Sequence, residues 1–126
     1  MGPVYLLDLA SQQSRWLGLR QSTIAGNMSN VATPGYRAQD VRPFDDMLVR
    51  TGLDMAQTAT GHMQLDMSEA RGRVVKSPET WETTLSGNSV NAEEQLMKAG
   101  EVSRSYALNT GVVRAFHRMM LASVKV

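Results

Sequence analysis

Residues 91–124 read NAEEQLMKAGEVSRSYALNTGVVRAFHRMMLASV, and this stretch decides the fold. Asn91 followed three residues later by Glu94 has the form of a capping box, in which each side chain can satisfy a free backbone donor at a helix start. Downstream, Leu96, Ala99, Ser103, Tyr106, Thr110, Val113, Met120 and Val124 recur in threes and fours and share one side of a helix, with Phe116 on its flank. A helix over this span is roughly 50 Å long, at about 1.5 Å per residue. A small domain cannot cover such a stripe with loops, so a second long helix is required.

The amino-terminal segment supplies one. From Val4 to Val31, Leu7, Ala10, Ser14, Leu17, Gln21, Ile24 and Met28 follow the same spacing, and Leu6 and Trp16 widen the stripe. Gln12, Arg15, Arg20 and Thr23 make the opposite, polar face. Thr33-Pro34-Gly35-Tyr36 ends the helix. Proline drives Thr33 out of the helical region, and Pro-Gly suits the two central positions of a type II turn. Asn27 and Asn30 lie just before this break, where side chains that compete for backbone hydrogen bonds are tolerated.

Between the helices the pattern loosens. Phe44, Met47 and Leu48 predict a short helix after Pro43, ending at Gly52. Met63, Leu65 and Met67 alternate with Gln64 and Asp66, which predicts a strand that pairs as a hairpin with residues 73–76. The expected fold is mainly α: amino- and carboxy-terminal helices pair as an antiparallel, coiled-coil-like core, with a small irregular or β-containing middle. Residues 1–36 and 87–126 would form a discontinuous helical core domain, and 37–86 the middle segment.

Composition narrows the function. Thirteen Lys and Arg against twelve Asp and Glu leave a net charge of +1, far from the basic field that nucleic acid requires. There is no cysteine. The longest apolar runs, at residues 4–7 and 119–122, fall far short of the roughly 18 residues of a membrane helix. Asp8 interrupts the first run and no basic region precedes it, which argues against a cleavable signal peptide. Nothing resembles catalytic machinery. His62 and His117 are far apart, and His62 with Asp66 has the spacing of a metal pair but reads as a solvated loop or edge. The adjacent acids Asp45-Asp46 and Glu93-Glu94 point in different directions on a helix, so neither is a dyad; both suit helix starts. The methionines on the long helix read as flexible core fillers.

Two motifs carry a resemblance to a known family. Residues 25–36, AGNMSNVATPGY, resemble the A-x-N-I-A-N-x-x-T-P-G-Y signature of the flagellar axial proteins, matched here by Asn27, Asn30, Thr33, Pro34, Gly35 and Tyr36. Met28 stands in for the usual Ile, Ser29 for Ala, and Ala32 for a frequent Asp or Asn. Residues 87–98, GNSVNAEEQLMK, resemble the stretch that opens the carboxy-terminal helix of the FlgB-type rod proteins, and Ser105-Tyr106-Ala107 resembles a later part of that helix. The resemblance covers roughly residues 5–50 and 86–124; the short middle and the Gly-Asn-Ser-Val opening favour the FlgB type over the related FlgC type, and hook and distal-rod proteins are much longer.

It implies a structural subunit of the proximal rod of the flagellar basal body, with both terminal helices in a tubular inner core. It also implies passage through the flagellar type III export apparatus without a cleaved signal peptide. The implied partners are other rod proteins, the MS ring and its rod-junction protein, and further copies of the chain, with no cofactor, nucleic acid or membrane insertion. Asn27 to Tyr36 would then be the assembly and turn motif. Leu7, Leu17, Ile24, Met28, Leu96, Tyr106, Val113, Phe116 and Met120 would be the helix-packing set. Amphipathic helices alone serve equally a soluble helical interaction module, such as an export chaperone or adaptor.

Overall fold

The computed structural model describes residues 3–51, 74–77 and 82–124. Their elements are α1 (Pro3–Ser29), β1 (Gln39–Val41), α2 (Phe44–Thr51), β2 (Val74–Lys76) and α3 (Ala92–Val124). The chain is mainly helical, with two long terminal helices and a two-stranded antiparallel sheet between them. Among the described residues, no helix is long and apolar enough to cross a membrane.

Each helix begins and ends for a local reason. Pro3 stands in the first turn of α1, where its missing N–H costs nothing. At the other end Ser29 Oγ and Asn30 Nδ2 donate to the carbonyls of Ala25 and Gly26, at 2.9 Å each. Tight turns from Asn30 N to Asn27 O and from Thr33 N to Asn30 O follow, and Pro34 stops the helix. At the start of α3, Asn91 Oδ1 accepts from the amides of Glu93 and Glu94, at 2.9 and 3.2 Å. Only half of the expected capping box forms, because the Glu94 carboxylate turns to Lys98 (2.8 Å). The charge of the lysine outbids a neutral amide for that carboxylate.

α1 and α3 run antiparallel. Asn109 Nδ2 donates to the Ala10 carbonyl and to Ser14 Oγ near one end, and Asn27 Nδ2 donates to Gln95 Oε1 near the other. Ala10, Leu17 and Ile24 on α1, and Gln95, Val102 and Asn109 on α3, are buried, and each series steps by seven. Seven residues are nearly two helical turns, so each series forms one narrow seam. Leu17, Ile24 and Val102 make the apolar centre, flanked by Trp16 and Ala99.

The seam runs along a different line of α3 from the apolar stripe. Leu96 and Tyr106 are exposed, while polar Gln95 and Asn109 point inward. The two amides can occupy the seam because α1 offers them partners.

The middle packs against the amino-terminal helix. β1 pairs with β2, with Gln39 opposite Lys76 and Val41 opposite Val74. Ser77 N donating to Ala38 O extends the ladder. The segment ending at Lys76 is therefore a strand, but its partner is β1, reached from the turn after α1. The hairpin partner expected at Met63–Met67, like His62, lies outside the described residues. The short helix after Pro43 forms as α2, with Asp45 and Asp46 in its first turn. Trp16 holds this region down: its Nε1 donates to the Arg42 carbonyl at 2.8 Å, and its ring packs 5.9 Å from that of Phe44.

Candidate functional site: a clasp between the two motifs

The two motifs are 52 residues apart where Tyr36 and Asn88 are compared, yet they close on each other at one end of the helix pair. Thr33–Tyr36 forms a turn closed by Tyr36 N donating to Thr33 O (3.3 Å), and Gly35 has φ of 72°. The facing loop turns at Gly87, with φ of 79°. A Cβ on Gly87 would stand 3.6 Å from the Gly35 Cα, so the turns lie back to back. Gly35 N donates to Ser86 O at 2.9 Å, and Ser89 N to Tyr36 O at 3.0 Å.

Two buried asparagines tie the turns to the helices. Asn88 Nδ2 lies 2.8, 3.0 and 2.8 Å from the carbonyls of Asn30, Val31 and Thr33. These carbonyls lie in the turn just past the end of α1, so Asn88 pins that turn from the far side of the sequence. Its Oδ1 accepts from Val90 N, which fixes the approach to α3. Asn27 is fully buried. It grips Gln39 on both sides of the peptide, donating to its carbonyl at 2.7 Å and accepting from its amide at 3.0 Å, and it also donates to Gln95 Oε1 at 2.9 Å. One side chain on α1 thereby sets the position of β1 and of α3. Ser89 Oγ completes the joint by accepting from Ala38 N.

A charged strap crosses beside the clasp. Lys98 Nζ contacts Asp40 Oδ2 at 3.1 Å and Glu94 Oε1 at 2.8 Å. Arg20 contacts Asp40 at 3.3 Å and Glu101 at 3.6 Å, with its guanidinium over the Trp16 ring. Burial pushes the Asp40 carboxyl upward, but the Val41 amide, Lys98 and Arg20 outweigh it and hold it below 3.8. Burial pushes Lys98 down, but Glu94 and Asp40 outweigh it and hold it above 10.5. The depressed Asp40 contributes stability above pH 3.8 that is lost as pH falls through its folded value. The raised Lys98 contributes stability that is full below pH 10.5 and lost as pH rises through its folded value. Between those limits the strap's contribution is expected to be flat, with acid loss confined to below pH 3.8. Urea midpoints across pH test this; a steep strap-dependent change near neutrality would contradict it.

The residues singled out in the sequence take distinct places. Asn27, Asn30, Thr33, Gly35 and Tyr36 come together in the clasp, Asn30 accepting from Thr33 Oγ1 at 3.1 Å, while Pro34 is exposed. Leu17 and Ile24 are in the seam and Met28 is half-buried. Leu7, Val113, Phe116 and Met120 line a groove with Arg114, His117 and Arg118 where α1 begins. Asn88, Ser89, Gln95, Asp40 and Lys98 were not singled out individually. Asn88 and Gln95 stood inside the second motif, and the repeat of seven through Val102 was the available signal for Gln95 and Asn109. Among the described residues no group of His, Cys, Asp or Glu is placed to hold a metal ion.

A side chain at Gly35 meets nothing within 4 Å, so its constraint is the backbone alone. Gly35→Val is expected to destabilise by about 2 kcal/mol, because a β-branched residue resists positive φ. Gly35→Asn should cost distinctly less. Equal denaturation midpoints for the two variants would contradict this account.

The clasp is built from amides and glycines held by backbone contacts, an arrangement that fixes geometry and offers no reacting group. No protein-family model matches the chain. The flagellar basal body rod protein FlgB of Agrobacterium fabrum (strain C58 / ATCC 33970) is 40% identical over 129 residues, spanning 99% of this chain and 96% of that protein. With similarity running through both motifs and nearly the whole length of each protein, the chain belongs to the FlgB family of flagellar basal body rod proteins, structural subunits and not enzymes.

Proposed function

We propose that this chain is a subunit of the proximal rod, polymerising with copies of itself and with other rod proteins to carry torque from the MS ring towards the hook. The observation that supports this best is the carboxy-terminal half of α3. Leu108, Val112, Met119, Leu121 and Val124 are all exposed, and they lie on several sides of the helix. Large apolar side chains exposed on more than one side of a helix call for cover by another surface. By the antiparallel register Pro3 lies level with Phe116, so the last two turns of α3 run past the start of α1.

In this reading the terminal helices, residues 1–36 and 87–126, form the inner core of the rod, and 37–86 lies outside it. The clasp locks α1 to α3 so that a load on one is borne by both. The subunit reaches the periplasmic rod through the flagellar export apparatus, and the MS ring with its rod-junction protein is the neighbour at the base. Deleting the gene in its flagellated source and imaging purified basal bodies tests the reading. Rings without rod, hook or filament, restored by the intact gene, are expected. Normal basal bodies and swimming would overturn it in favour of a helical adaptor.

A further inference from the structure

Two lines on α3 compete for α1. An apolar line runs through Leu96, Ala99, Ser103, Tyr106 and Val113. The line that is buried runs through Gln95, Val102 and Asn109. Gln95 and Leu96 are neighbours in sequence, so a turn of α3 about its own axis by no more than about 100° exchanges one line for the other. As α3 sits, Leu96 and Tyr106 are 64% and 55% exposed, while Gln95 and Asn109 are buried. Removal of apolar surface from water is the main drive for packing one helix on another, and by that drive alone the apolar line would face α1.

Polar contacts hold the other rotation. Gln95 Oε1 accepts from Asn27 Nδ2 at 2.9 Å, and Asn109 Nδ2 donates to the Ala10 carbonyl and to Ser14 Oγ. Gln95 and Asn109 lie 14 residues apart, roughly 21 Å along the axis, so α3 is fixed at two levels. Lys98 with Asp40 on β1, and Glu101 with Arg20 on α1, brace the flank away from Leu96. A turn that brought Leu96 and Tyr106 onto α1 would carry all four side chains off their partners. The Gln95 amide is not there for tightness. Its Nε2 is buried with no hydrogen-bond partner among the described residues, and an unmet buried donor costs stability. An aliphatic side chain would fill the seam without that cost. What the amide adds is direction, because its partner Asn27 stands opposite it in one rotation only.

We infer that Gln95 and Asn109, braced by Lys98 and Glu101, form a rotational lock that holds the line through Leu96 and Tyr106 outward. Released from the lock, α3 turns that line onto α1, and the apolar surface is withdrawn from other molecules. The lock is a device of the single chain, read on the purified protein, so it stands or falls independently of the rod reading above.

The chain has no cysteine, so single engineered thiols report the rotation without background. Ser103→Cys places a thiol on the exposed apolar line, and Ser105→Cys places one on the opposite flank of the seam, at a half-buried position. Each is made alone, and its rate of reaction with a maleimide is measured. In the otherwise native chain the thiol at 103 should react faster than that at 105. With Gln95→Ala and Asn109→Ala added, the rate at 103 is expected to fall about tenfold and the rate at 105 to rise, because the population moves to the turned state. Opposite changes at two positions on one helix report a turn, whereas loosening or unfolding of the helix raises both rates.

A milder variant guards against misfolding. Asn109→Ala alone keeps the contact between Asn27 and Gln95 and is expected to move the two rates in the same opposite directions, by less. Unchanged rates in both backgrounds would show that the amides do not set the rotation, and a rise at both positions in both backgrounds would show that they hold the helices together without orienting them. Either result would overturn the lock.

Discussion

Replacing Asn27 with alanine is expected to destabilise the protein by about 3–4 kcal/mol. Asn27 is fully buried, and its amide makes three hydrogen bonds, two to the Gln39 backbone and one to the Gln95 side chain. The lost bonds themselves are the smaller part. A buried donor or acceptor left without a partner costs about 1–3 kcal/mol, and alanine leaves the Gln39 amide, its carbonyl and Gln95 Oε1 in that state together. Some of the cost is recovered as the Gln39 peptide shifts towards water, which is why the sum is not the full three-fold penalty. Asn27→Asp should also be destabilising, because its second oxygen would face the Gln39 carbonyl, where the amide N–H now donates. Urea unfolding followed by circular dichroism gives the measurement, and a loss below about 1 kcal/mol would mean that Asn27 does not hold the three elements together.

Local features of this fold were legible in the sequence, and long-range polar ones were not. The helix from Asn91 onward, its cap, the stop at Pro34 and the short helix after Pro43 each depend on residues within a few positions of one another. The face that α3 buries depends on what lies opposite. Periodicity of apolar residues favoured Leu96 and Tyr106, yet Gln95 and Asn109 occupy the seam because Asn27 and the Ala10 carbonyl meet them there. A reading that ranks positions by hydrophobicity discards an amide whose partner is 68 or 99 residues away. The same holds for Asn88, whose three carbonyl partners lie 55 to 58 residues earlier. For the clasp, the first motif marked the site through its turn residues, while the second supplied Asn88, which pins that turn, without announcing it. Lys98 and Asp40 carried no signal at all, since a strap between a strand and a helix has no sequence spacing.

The second large effect is expected at Leu17, which is 1% exposed and sits at the centre of the seam between Ile24, Val102, Trp16 and Ala99. Leu17→Ala removes its transfer free energy and leaves a cavity that two rigid helices cannot close, for a loss of about 3–4 kcal/mol. Ile24→Val, one methylene in the same cluster, should cost about 1 kcal/mol. The clasp is polar and the seam apolar, and on α1 their centres at Asn27 and Leu17 are ten residues apart, roughly 15 Å along the axis. At that separation, without shared partners, the two losses should add to within about 0.5 kcal/mol. The double variant would then lose about 7 kcal/mol, comparable to the whole stability of an ordinary domain of this size, and should be largely unfolded in dilute solution. A double variant that loses much less than the sum would show that clasp and seam are one cooperative unit, broken as a whole by either change. Additive loss would show that α1 and α3 are held by two independent attachments, one fixing their register and the other their contact. The second outcome is expected, because the hydrogen bonds of Asn27 run to Gln39 and Gln95, while Leu17 packs with Ile24, Val102, Trp16 and Ala99.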